Sequence, residues 1–174
     1  MLDALNAPAA PTVVRREDYR PPDWLVPSVR LEFKLSVERT RVHATLLVER
    51  NGRHDRPLRL DGDELQPAAV RVDGEETSNW SLDAGALVLP LSGDQHTIET
   101  EVELNPAANT KLMGLYASGG LLCTQCEAEG FRRITFFPDR PDVLSRYHVR
   151  MEADRGSFPI LLCNGDPVGG GELP

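Results

Sequence analysis

Between Leu121 and Arg132 the chain concentrates residues whose types could do chemistry. Cys123 and Cys126 form a C-x-x-C. Gln125, Glu127 and Glu129 alternate through the same segment, Thr124-Gln-Cys-Glu-Ala-Glu-Gly130. A C-x-x-C can begin a tetrahedral zinc site, but such a site needs four ligands. The sequence supplies one further cysteine, Cys163, and no histidine at ligand spacing nearby. A redox C-x-x-C normally opens a helix in a βαβ setting, and none surrounds this one. Small thiols packed in a core are the better reading. In an extended segment Gln125, Glu127 and Glu129 would share one face, because strand side chains repeat every two residues. A carboxylate beside an amide carbonyl suits an ammonium group, which has three donors and no acceptor. A solvated polar edge accounts for the same spacing. Spacing alone leaves both readings open.

No other cluster competes. His43, His54, His96 and His148 are scattered, with no H-E-x-x-H and no pair at i, i+4. No serine sits in a G-x-S-x-G elbow. Gly169-Gly-Gly171 lacks the lysine and helix of a phosphate loop. The three cysteines, an odd number, do not suggest a disulfide framework. The net charge of -8 argues against a nucleic-acid partner, which needs a basic footprint. No apolar run approaches the roughly 20 residues of a membrane span. The N-terminus lacks the basic and apolar regions of a signal peptide. A cytoplasmic location is expected, with no membrane and no nucleic acid among the partners.

The elements that must position the segment read as short strands. Val29, Leu31, Phe33, Leu35 and Val37 alternate with polar residues, as do Val42, Ala44, Leu46 and Val48. The pattern returns over residues 58–60, 70–72, 86–89 and 96–104, with Asp-Gly turns at Asp61 and Asp73. Strands are also expected over 112–116, 147–153 and 160–163, the last followed by a hairpin turn at Asn164-Gly165. Arg132 to Phe137 reads as a short helical turn stopped by Pro138. Residues 1–27 hold five prolines and no sustained period. Residues 1–17 are expected to be an extended lead-in, with the segment around Tyr19 and Trp24 docking on one domain over 18–174. The fold class is mainly β, an antiparallel sandwich.

Longer blocks add a resemblance. Pro106-Ala-Ala-Asn-Thr110, Gly114-Leu-Tyr116, Leu122-Cys-Thr-Gln-Cys-Glu-Ala-Glu-Gly-Phe-Arg132 and Asp139-Arg-Pro-Asp-Val-Leu144 are similar to the bacterial aminopeptidase N family of zinc aminopeptidases with H-E-x-x-H and G-A-M-E-N motifs. Asp18-Tyr-Arg-Pro-Pro-Asp23, Leu161-Leu-Cys-Asn-Gly165 and Gly171-Glu-Leu173 extend it over nearly the whole chain. The resemblance implies a saddle-like N-terminal β-domain of an enzyme that removes N-terminal residues from peptides. It implies that the zinc and catalytic motifs lie on a following domain of the same polypeptide, so this chain alone should be inactive. It implies that Gln125 and Glu127 hold the substrate α-amino group, with Glu129 in a supporting role. The chain should then stop before the catalytic domain and leave a strand edge open to a neighbouring molecule. The competing expectation is a stand-alone, non-enzymatic β-sandwich interaction module.

Overall fold

The computed structural model describes residues 15–173. Most of the expected lead-in, residues 1–14, lies outside them. Eleven strands follow a short 3-10 turn at Arg16–Asp18: β1 (Trp24–Lys34), β2 (Thr40–Arg50), β3 (Leu58–Leu60), β4 (Pro67–Val72), β5 (Glu75–Glu76), β6 (Ser81–Asp83), β7 (Ala86–Leu89), β8 (Gln95–Leu104), β9 (Gly114–Ser118), β10 (Leu121–Gln125) and β11 (Arg146–Glu152). Six make one sheet in the order β11-β1-β2-β8-β4-β5, three make a second in the order β3-β7-β6, and β9 and β10 form a hairpin. The fold is the expected mainly-β layered domain. One pairing departs from the antiparallel expectation, since β11 runs parallel to β1.

Alternation in the sequence sets the layers. On β2 the inward set is Thr40, Val42, Ala44, Leu46 and Val48, each fully buried. A one-residue slip would drive Arg41 and His43 into the core instead, so the register is strongly specified. Burying each of the larger apolar side chains is worth about 1.5–3 kcal/mol. The inner faces of both sheets, including Leu58, Leu60, Leu87 and Leu89 from the smaller one, close on a single cluster.

Strand β1 begins earlier and ends earlier than its alternation predicts. Its partner register jumps between Leu25 and Ser28, so Val26 and Pro27 stand where β2 has Val48. This bulge changes the phase, and Trp24 and Val26 bury beside Val29, Leu31 and Phe33. Pro27 is tolerated at the bulge, where a ladder donor is not required. The segment around Tyr19 and Trp24 docks as expected: Arg140 Nη2 donates to Arg20 O at 2.8 Å and Asn51 Nδ2 to Pro22 O at 2.8 Å. The Trp24 indole donates to Arg56 O at 3.2 Å under the Arg50 guanidinium, 4.4 Å from the ring centre.

The region after β11 corrects two expectations. Residues 160–163 form no strand, and Ile160 and Leu162 are largely exposed. Asn164-Gly165 is a bend with no hairpin around it. A strand needs a ladder partner as well as propensity, and no described strand pairs with this stretch. The helical turn is also shorter than expected. It is a 3-10 turn at Phe131–Arg133, after which Phe137 forms a β-bridge to Asp61.

Candidate functional site

The hairpin β9–β10 delivers Gln125 as its last strand residue, opposite Gly114. Gly119 and Gly120 make its tight connection with φ of 57° and 82°, values that suit glycine. Beyond Gln125 the chain leaves the extended path. Gly130 N–H donates to Cys126 O at 2.8 Å and closes a compact turn over residues 127–130. The peptide between Glu127 and Ala128 is cis. The extended face expected for Gln125, Glu127 and Glu129 is therefore not formed, because the turn interrupts the two-residue repeat.

The structure does bring Gln125 and Glu127 together by another route. Gln125 Nε2 donates to the main-chain oxygen of Glu127 at 3.2 Å, and Oε1 accepts no hydrogen bond among the described residues. Both residues lie at the surface. The Glu127 side chain makes no ion pair or hydrogen bond among the described residues. Glu129 behaves differently: its Oε1 lies 3.4 Å from Arg132 Nη2. Of the two carboxylates on the turn, Glu127 is the one without a partner among the described residues.

Rigid neighbours hold this arrangement. A Cβ on Gly130 would lie 2.9 Å from Cys126 Cα, 3.2 Å from Gly114 N and closer still to Gln125 O, so the turn stacks directly on β9 and β10. Arg132 clasps Asp139: its N–H and Nε both donate to Oδ2 at 3.1 Å, and Nη2 donates to the main-chain oxygen at 2.8 Å. Asp139 N–H donates in turn to Asp61 Oδ2 at 3.0 Å. Phe131 packs edge-on to Phe137 and Tyr147, at centroid distances of 5.1 and 6.0 Å. No sequence pattern singles out these clasping residues. Asp61 and Arg132 are far apart in the chain, and nothing in the spacing links them.

Of the three cysteines expected to pack in the core, Cys126 is the one that packs against it. All three are free. Cys126 packs against the core, and burial, followed by the nearby Asp139 charge, pushes its thiol pKa above the ordinary value. A thiol held protonated is a poor nucleophile and a poor metal ligand. Cys163, by contrast, is exposed and supports no core. Three histidines are paired: His43 with Glu99 at 3.2 Å, His54 with Asp23 O at 2.7 Å and His96 with Asp73 at 2.7 Å. Among the described residues no three His, Cys, Asp or Glu side chains gather as a metal site needs. No described helix is long and apolar enough to cross a membrane.

Chemically, the turn offers a carboxylate and an amide oxygen on an open surface. Two shallow clefts, of about 310 Å³ around Trp80 and about 480 Å³ around Lys34 and Arg41, are lined by neither Gln125 nor Glu127. Fold and turn together describe a two-layer β-domain that presents a carboxylate and an amide oxygen at its surface.

Residues 27–169 match the Peptidase M1 N-terminal domain family, and the chain belongs to that family. It is 50% identical over 165 residues to an aminopeptidase N of Caulobacter vibrioides and 45% identical over 163 residues to that of Escherichia coli, in each case across 94% of this chain. The chain spans 19% of the length of these curated relatives. Among solved structures, Legionella pneumophila aminopeptidase A in complex with aspartic acid superposes with a TM-score of 0.84 at 30% identity, over 91% of this chain and 19% of that one. A Deinococcus radiodurans M1 zinc metallopeptidase variant bound to a Tyr-Ser-Ala substrate shares the fold, with a TM-score of 0.62 at 18% identity over 75% of this chain and 33% of that one.

Proposed function

We propose that this chain is the N-terminal, substrate-anchoring domain of a zinc-dependent aminopeptidase, spanning residues 18–174 after a lead-in at 1–17. Gln125 and Glu127 accept the α-ammonium of a peptide with a free N-terminus. The observation that carries this reading is the exposed Glu127 carboxylate, without a partner among the described residues, on the turn closed by Gly130. A charge-assisted hydrogen bond of this kind contributes about 1.5–3 kcal/mol. A peptide with residues ahead of the anchored one would leave that carboxylate unpaired, which favours exopeptidase action by exclusion.

The relatives support the chemistry. One is crystallised with an amino acid and a fold relative with a short peptide. The chain spans 19% of the curated relatives' length, so the zinc and the hydrolysis are assigned to a catalytic domain of the same polypeptide, with this chain alone inactive. That domain and the peptide substrate are the partners. Three free cysteines fit a cytoplasmic setting.

The test is Glu127→Ala in the longer enzyme. The expected result is a fall in kcat/KM for free-amine substrates with zinc content unchanged. Unaltered kinetics would remove the anchoring role. The second reading, an independent interaction module, is separated by whether the longer protein carries H-E-x-x-H and releases N-terminal residues.

A further inference from the structure

The turn that displays Gln125 and Glu127 has no ladder of its own, so its order must come from what it rests on. The 3-10 turn Phe131–Arg133 follows it directly, and Arg133 N–H donates to Gly130 O at 3.1 Å. On the other side, a Cβ on Gly114 would lie 2.7 Å from Arg133 Cβ, and Gly114 is the strand partner of Gln125. Arg133 therefore bonds the last residue of the turn and packs against the strand partner of Gln125.

Its guanidinium reaches far across the chain. Nη1 donates to Asp63 and Nη2 donates to Glu64 Oε2 at 2.6 Å, with the Arg133 side chain 8% exposed. Glu64 Oε1 also accepts from Lys111 Nζ at 2.7 Å, in the loop that feeds β9. Asp63 N–H donates to Arg132 O at 2.9 Å. One guanidinium thus joins three segments: residues 61–64, the loop before β9 and the turn after β10. Its Nε is buried without a partner among the described residues, so Asp63 and Glu64 carry the whole of its pairing.

We propose that Arg133 is a positioning residue for the amine-anchoring turn: without touching substrate, it fixes Gly130 and Gly114 and so fixes Gln125 and Glu127. The inference rests on the reading that this turn holds the substrate amine. It also makes a claim about local order that stands apart from activity.

The experiment is residue-resolved amide hydrogen exchange on the 174-residue chain with Arg133→Met and Arg133→Lys. The Gly130 amide should exchange about tenfold faster in the Met variant and by a smaller factor in the Lys variant, which keeps a cation. Amides in the β2–β8 ladder should keep their rates. An unchanged Gly130 rate would overturn the proposal, as would equal acceleration across the ladder, which marks general support only. If Arg133→Met does not fold, Asp63→Asn reads the same point by removing one partner, and an unchanged Gly130 rate there overturns it equally. In the longer enzyme, the Met variant should raise KM for a free-amine substrate several-fold more than it lowers kcat. Accelerated Gly130 exchange with unchanged kcat/KM would uphold Arg133 as the clamp and overturn the anchoring reading.

Discussion

Gly130→Ala isolates the stacking of the displayed turn from its chemistry. Gly130 has φ near −90°, so an alanine meets no backbone penalty of its own. What it meets is space already filled by main chain. The new Cβ would lie 2.9 Å from Cys126 Cα and closer still to Gln125 O, against about 3.4 Å for ordinary contact, so the turn must open by about one ångström. Overpacking of this kind costs about 1–3 kcal/mol, toward the upper end here because the neighbours are backbone. A displacement of about 1 Å can cost on the order of 100-fold in rate. The assay is paired: urea unfolding of the chain, and kcat/KM of the longer enzyme on an aminoacyl anilide. Gly74→Ala is the control, with φ of 84° and nothing within 4 Å of its added Cβ. It should lose about 1 kcal/mol of stability and no activity. If Gly130→Ala matched this control in both measurements, the turn would not be held by the stacking described.

The clamp also sets an acid response. Hydrogen bonds from Lys111, then Arg133, hold Glu64 at a pKa of about 2 against an ordinary 4.5. A depressed carboxylate stabilises the fold fully above about 4.5 and loses that contribution as pH falls toward about 2. Acid unfolding followed by circular dichroism should therefore be shallower in this window for Glu64→Gln, and the difference should shrink in high salt because the group is exposed. Thiol labelling at neutral pH should modify exposed Cys163 first and Cys126 last, and equal rates would contradict the burial of Cys126. Strand β11 borders the large sheet with no described strand on its far side, and Leu144 just before it and Tyr147 within it are exposed. Sedimentation of the chain should show association that rises with concentration and falls with Tyr147→Lys, whereas a strict monomer would contradict pairing at this edge.

Period-two alternation makes the large sheet legible in the sequence, because each inward residue of β2 and β8 belongs to one buried face. The bulge at Val26 and Pro27 is not legible there, since it depends on which partner residue each faces. The parallel pairing of β11 with β1 brings together segments more than a hundred residues apart, which no local pattern encodes. At the site, the residue types of Gln125 and Glu127 are legible, but their common strand face is not formed. The turn closed by Gly130 replaces it, and its cause is a close approach of backbone to backbone. Arg133 reads as an ordinary polar position because Asp63 and Glu64, which hold its guanidinium, lie far off in sequence.

The most direct test of amine anchoring compares a free-amine ligand with its desamino analogue, binding to the longer enzyme and to its Glu127→Ala variant. Loss of one charge-assisted hydrogen bond worth about 1.5–3 kcal/mol should cut the preference for the amine by about 10- to 150-fold, with affinity for the desamino analogue unchanged. An undiminished preference for the amine in the variant would contradict the account.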